Sequence, residues 1–87
     1  MPETLTIEVT QEDIDKGKPK SMTCCPVALA FKRATGRKRG IYVLGMSVKV
    51  HGGGQMTSWW GGRAQGVFMW AFDRGEPVSP TTITFTR

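Results

Sequence analysis

The sequence has few of the residues from which catalytic and metal sites are built. Its 87 residues include two cysteines, which are adjacent, and one histidine. A structural zinc site needs four ligands, usually in two spaced pairs, and a Cys–His nucleophile needs a third residue to orient the base. Cys24, Cys25 and His51 meet neither requirement, and Cys25 is expected to be a small buried residue at the start of a helix. The sequence therefore predicts no metal, no cofactor and no enzymatic activity.

Targeting and nucleotide-binding patterns are also missing. No apolar run reaches the roughly 18 residues that span a membrane. The N-terminus MPETLTIEVT has neither a basic start nor an apolar core, unlike a secretory signal. The glycines of HGGGQ and GGRAQG fit no phosphate-binding spacing and are typical of turns. We therefore expect one cytoplasmic domain over residues 1–87, with reduced thiols and no small-molecule substrate.

Acidic residues are absent from a long central stretch of the chain. Residues 1–15 carry five acids and no base, residues 16–63 carry ten bases and no acid, and the net charge is +5. This asymmetry favours a polyanionic partner or an acidic protein surface. The alternative is that the acidic start folds back and neutralises part of the basic middle, the remaining charges being merely solvated.

Apolar periodicity predicts an α+β fold. The predicted strands are 4–10, 41–51, 55–60 and 81–86, and the predicted helices are 26–35 and 63–73. A further helical turn is expected over 11–16, because Thr10 and Asp13 match a capping box. Pro26 suits the first position of the first helix, and Gly36 suits its end. The order β-α-β-β-α-β predicts an antiparallel or mixed sheet covered by two helices on one face.

Two of these elements carry finer predictions. The strand over 41–51 is predicted to be continuous, with Gly45 at a bulge or a close approach. Its faces would then alternate, one of them formed by Tyr42, Leu44, Met46, Val48 and Val50. The second helix is predicted to bury a stripe formed by Ala64, Val67, Phe68, Ala71 and Phe72, with Trp70 off that stripe.

The bases and tryptophans are the candidate contacts with a partner. Five bases lie within residues 32–39, and Trp59 and Trp60 are expected on opposite faces of one strand. Exposed tryptophan beside bases can stack on a nucleotide or anchor a protein interface, and the alternative is packing on the sheet or a helix edge. The candidate partner-binding residues are Lys32, Arg33, Arg37, Lys38, Arg39, Lys49, Trp59, Trp60 and Arg63.

Two segments resemble a group of short proteins found in phages, prophages and bacteria. IEVTQEDIDKGKPKSMTCCPVALAFKRA, residues 7–34, resembles the start of that group. FDRGEPVSPTTITF, residues 72–85, resembles its usual ending. The matched positions of the first segment are Ile7, Val9, Thr10, Glu12, Ile14, Gly17 and Cys25 to Ala30. Together the segments cover about half of the chain, whereas residues 37–71 depart from the pattern.

The resemblance implies a cytosolic phage-type protein that works by binding. Anti-CRISPR and other anti-defence inhibitors are similar in size and in their lack of motifs. We therefore expect an inhibitor, encoded by a phage or mobile element, that blocks a host protein or ribonucleoprotein complex sterically through a basic surface. The alternative is a nucleic-acid-binding accessory protein, and an enzyme ranks third.

Overall fold

The computed structural model describes residues 3–87 and confirms the α+β fold. Along this part of the chain the elements are β1 (Thr4–Val9), α1 (Gln11–Lys16), α2 (Pro26–Thr35), β2 (Ile41–Leu44), β3 (Ser47–Gly52), β4 (Gln55–Trp60), α3 (Gly62–Asp73) and β5 (Thr81–Thr86). The sheet order is β1-β5-β4-β3-β2, and every described pair is antiparallel. None of the helices within residues 3–87 is long and apolar enough to cross a membrane.

Side-chain caps start the first two helices. The carboxylate of Asp13 accepts a hydrogen bond from the Thr10 N–H at 2.9 Å, and the Thr10 hydroxyl accepts one from the Asp13 N–H at 3.3 Å. This capping box confirms the helical turn predicted over 11–16, which forms α1. Helix α2 begins with Pro26 after Cys25, and it ends at Gly36, whose φ of 72° is left-handed. These boundaries agree with the sequence because each signal is local.

The prediction of one continuous strand over 41–51 is wrong. Gly45 has a φ of 56°, so the chain reverses at Gly45 and Met46, and Leu44 pairs with Ser47. Glycine adopts this conformation without a Cβ clash. The turn inverts the alternation of side chains between β2 and β3, which raises the number of strands to five. The buried residues of the two strands are Ile41, Val43, Val48 and Val50, and the exposed residues include Tyr42, Leu44 and Met46.

Helix α3 buries a different stripe from the predicted one. Its buried residues are Gln65, Phe68 and Met69, whereas Val67 is 58% exposed. The Gln65 amide Nε2 donates to the carbonyls of Gly45 and Ser47, at 2.9 Å each. These two bonds satisfy Nε2, whereas the buried Oε1 has no hydrogen-bond partner among the described residues, so the inward-facing Gln65 fastens the β2–β3 hairpin through its amide nitrogen.

The core lies on one face of the sheet, beneath α2 and α3. The ring of Phe31 on α2 packs edge-on against Phe85 of β5, with centroids 5.3 Å apart, and lies 6.5 Å from the ring of Trp59 on β4. Phe68 and Met69 of α3 belong to the same buried cluster. Two helices therefore cover one face, as predicted.

The sheet has a seam between β4 and β5. β1 pairs with β5 over its whole length, and so does β3 with β4, but the described pairing of β4 with β5 is the single pair Trp60–Thr86. A two-stranded ribbon and a three-stranded meander therefore meet at one corner. Because Phe31 contacts both Trp59 and Phe85, α2 packs across this seam.

Gln65→Ala should lower the free energy of unfolding by about 1–3 kcal/mol, because it leaves two hairpin carbonyls without their donor and opens a buried gap. Urea unfolding measures this change. Gln55→Ala, at an exposed position at the start of β4, is the matched control and should have little effect. A loss no larger than that of the control would contradict the role of Gln65 as a clamp.

Candidate partner-binding surface

The five bases within residues 32–39 do not form one cluster. The Lys32 ammonium donates to the Thr23 carbonyl at 2.7 Å. The Arg33 guanidinium donates to the Asp13 carboxylate at 2.6 Å and to the Glu8 carbonyl at 2.8 Å. These two side chains therefore fasten α2 to the preceding loop, to α1 and to β1.

The acidic N-terminal segment neutralises some of the bases, as the alternative reading of the charge pattern required. Beside the pair Asp13–Arg33, Glu12 pairs with Lys16 at 2.9 Å and Glu3 lies 3.6 Å from Arg87. All of these bases except Arg33 lie outside residues 32–39. The neutralisation is therefore partial, because most of the central bases form no salt bridge with an acid of residues 3–87.

Asp13 is the buried member of its ion pair, with only 4% of its surface exposed. Burial alone would raise the pKa of this carboxyl. Hydrogen bonds from Arg33 and Thr10 more than offset that effect, so the pKa of Asp13 lies below its ordinary value of 3.8. The carboxylate is thus charged at neutral pH and holds Arg33 in a structural contact.

Arg37, Lys38 and Arg39 behave differently from Lys32 and Arg33. They form an exposed segment between α2 and β2, here called the basic loop, and none of the three makes a salt bridge with a residue of the described chain. The loop lies beside the β3–β4 hairpin, because the His51 N–H donates to the Gly40 carbonyl at 2.7 Å. The Arg37 guanidinium lies so close to Gly52 that a Cβ there would overlap it.

The second part of the candidate surface is the face of the meander that points away from the helices. The strand registers place eight side chains on it, here called the open face: Tyr42, Leu44, Ser47, Lys49, His51, Met56, Ser58 and Trp60. Trp60 is 55% exposed, and Trp59 faces the core, so the two tryptophans do point to opposite sides. The Lys49 ammonium donates to the Ser58 hydroxyl at 2.6 Å. No acid occurs on β2, β3, β4 or the basic loop.

A cleft opens on the meander where the seam separates β4 from β5. Its volume is about 480 Å³. The lining residues are Ser47, Lys49, Ser58, Trp59, Trp60, Thr86 and Arg87. The Arg87 guanidinium lies 5.6 Å from the centroid of the Trp59 ring, so cations border the cleft from both sides of the seam.

Arg63 lies on another surface, the outer side of α3. It borders a shallow apolar cavity with Met46, Val67 and Trp70. Trp70 is 58% exposed, and the Arg74 guanidinium lies 4.2 Å from its ring centroid. Sequence periodicity does not indicate this apolar surface, because the predicted stripe of α3 places Val67 in the core. Only the position of Trp70 off the stripe pointed towards it.

The cysteines lie away from the candidate surface. Cys25 is fully buried and its Sγ accepts a hydrogen bond from the Ala28 N–H at 3.4 Å, and burial raises the pKa of its thiol. Cys24 is partly exposed, and a hydrogen bond with Thr23 lowers the pKa of its thiol. Cys25 precedes α2, whereas His51 contacts the loop after α2, so a helix of about 15 Å separates them.

Comparison of the chain with known proteins returned no match to a family model, to a curated protein or to a solved structure.

Replacing Asp13 by Asn should destabilise the protein at neutral pH by about 1–2 kcal/mol, since a charge-assisted pair with a half-exposed arginine is lost. The folded-state pKa of Asp13 is depressed, so its contribution is complete above the ordinary pKa of 3.8 and is lost as pH falls through the lower folded value. The difference between wild type and Asp13→Asn should therefore shrink in acid. Unfolding free energies measured from neutral to acidic pH check this.

Asp15→Asn is the matched control on the same helix, because Asp15 is exposed and hydrogen-bonded only to Gln11 among the described residues. It should change stability little at any pH. A gap between wild type and Asp13→Asn that stays constant into acid would contradict the assignment.

Proposed function

We propose that this protein is a small inhibitor, encoded by a phage or another mobile element, that binds a host defence complex and blocks it sterically. The most concrete target is a CRISPR–Cas nucleoprotein complex. The resemblance of residues 7–34 and 72–85 to short phage and prophage proteins supports the origin. The departure of residues 37–71 from that pattern supports a specialised binding surface in the middle of the chain.

The observation that carries the proposal is the continuity of the basic loop with the open face. Gly40 is hydrogen-bonded to His51, so the basic loop adjoins the end of β3, although Arg37 lies on the side of Gly52 that faces the helices. The basic loop and the open face together carry Lys38, Arg39 and Lys49 besides Arg37, and no acid occurs on β2, β3, β4 or the loop. Such a field attracts an anionic surface and opposes a cationic one.

The mechanism is occupation of space. The protein is 35 Å long and 18 Å thick. The sheet that carries the open face is packed on its other side against the hydrophobic core. A body of this size that docks on a nucleic-acid path or on an acidic protein surface excludes the ligand that normally lies there. The Coulomb contribution to docking should weaken as salt rises, because exposed charges are screened beyond about 10 Å at 0.1 M ionic strength.

The proposal is tested in bacteria that each carry one defined CRISPR–Cas system and are challenged with a phage that this system targets. Expression of the protein should restore plaque formation in at least one strain. The double variant Lys38→Glu, Arg39→Glu should lose this effect. Reversing two charges should lower the affinity for an anionic docking surface by about tenfold or more.

The matched control is Lys18→Glu, Lys20→Glu, which reverses two exposed charges on the loop before α2 and should leave the effect unchanged. Both double variants must unfold at the same urea concentration as wild type. The proposed function would be overturned if wild type restored plaque formation in none of the strains, or if the basic-loop variant protected the phage as well as wild type does.

A further inference from the structure

We infer that the open face is a binding site for single-stranded nucleic acid, in which bases stack on Trp60 and Tyr42 and Lys49 contacts the phosphate between them. This deepens the proposed function by naming the chemistry of the anionic partner. The inference is tested with oligonucleotides alone, so its outcome is independent of whether the protein inhibits a defence complex.

The first support is the placement of two exposed aromatic rings on one face. Trp60 lies on β4 and Tyr42 on β2, and both point away from the helices. Their exposures are 55% and 37%. Two intervening strand spacings and two residues of stagger place their Cα atoms roughly 12 Å apart. That span suits two nucleotides of an extended single strand, whose unpaired bases have both faces free to stack.

The second support is the cation between the rings. Lys49 lies on β3 and is the direct cross-strand neighbour of both Tyr42 and Ser58. Its ammonium is held over the face by the Ser58 hydroxyl. An ammonium carries three donors, so two remain for phosphate oxygens after the bond to Ser58. Single-strand binding requires two features, aromatic surfaces on which bases stack and cations along the path of the backbone, and the open face has both.

The third support is the cleft beside Trp60. Its volume is about 480 Å³, and Trp60 and Lys49 both line it. The cleft lies where the ends of β4 and β5 meet at the pair Trp60–Thr86. It offers one stacked base a recess with serine and threonine hydroxyls, which serve as both donors and acceptors for base edges.

The basic loop extends this site along a backbone path. It adjoins His51 at the end of β3 and adds Lys38 and Arg39 beyond Lys49, whereas Arg37 lies on the helix side of Gly52. Duplex DNA buries its bases in the stack and presents only phosphates to such a face. The aromatic rings therefore distinguish a single strand from a duplex, whereas the basic loop does not.

The outer side of α3 is a useful contrast. It exposes Trp70 to the same extent as the open face exposes Trp60, with exposures of 58% and 55%. Arg74 already covers the Trp70 ring, and Met46 and Val67 surround it. The Trp70 ring therefore already has a cation and apolar side chains of its own chain against it.

The test is fluorescence anisotropy with labelled oligothymidylate, labelled oligouridylate and a labelled duplex. Wild type should bind both single strands more tightly than the duplex. Trp60→Ala should weaken single-strand binding by about 5- to 150-fold, the range for loss of one stacked base. Trp70→Ala, the control of matched exposure, should not change it. A preference between the two single strands identifies DNA or RNA as the natural ligand chemistry.

Lys49→Gln tests the phosphate contact separately. It should reduce the magnitude of the salt slope of log K by about 0.7, the value for one phosphate on a single strand, whereas Lys16→Gln on α1 should leave the slope unchanged. No single-strand binding, or binding that is equal for duplex and unaffected by Trp60→Ala, overturns the inference. Oligonucleotide binding without phage protection would remove the proposed function and leave this site standing. Phage protection without oligonucleotide binding would do the reverse.

Discussion

The packing of Phe31 across the seam is the contact on which the rest of the structure depends. Backbone hydrogen bonding joins the ribbon of β1 and β5 to the meander of β2, β3 and β4 at one described residue pair, so the ladder alone cannot make them one sheet. Phe31 contacts Phe85 on one side of the seam and Trp59 on the other. The aromatic contacts, together with burial of α2 against both halves, supply the cohesion that the ladder lacks.

The same arrangement creates the candidate surface. Helices α2 and α3 cover one face of the sheet, and the open face points away from them. Trp60 and Lys49 border the cleft on that side. The end of α2 also positions the basic loop, since Gly36 turns the chain and Gly40 hydrogen-bonds to His51. The core and the candidate surface therefore lie on opposite faces of one sheet.

The elements that sequence predicts well are those with local signals. Helix α2 has an N-cap, a proline at its first position, an apolar stripe and a terminal glycine within residues 25–36, so its bounds follow directly. The β2–β3 hairpin was missed because Leu44 and Met46 fit an alternating strand as well as a turn. Deciding between the two needs the positive φ of Gly45 and the distant amide of Gln65, which periodicity does not encode. The predicted buried stripe of α3 was wrong for the same reason. A prediction from hydrophobicity alone places Val67 in the core, because it does not include the contact of Gln65 with the hairpin.

The distribution of charge follows from chain order. The acids of residues 1–15, except Glu3, lie on β1 and α1, against which α2 packs. A base on that side of α2, such as Arg33, therefore has an acid within reach. After Gly36 the chain leaves this neighbourhood, and no acid follows until Asp73. The bases of the basic loop and Lys49 therefore fold into a region that their own chain does not neutralise. Folding thus converts a sequence asymmetry into a spatial one.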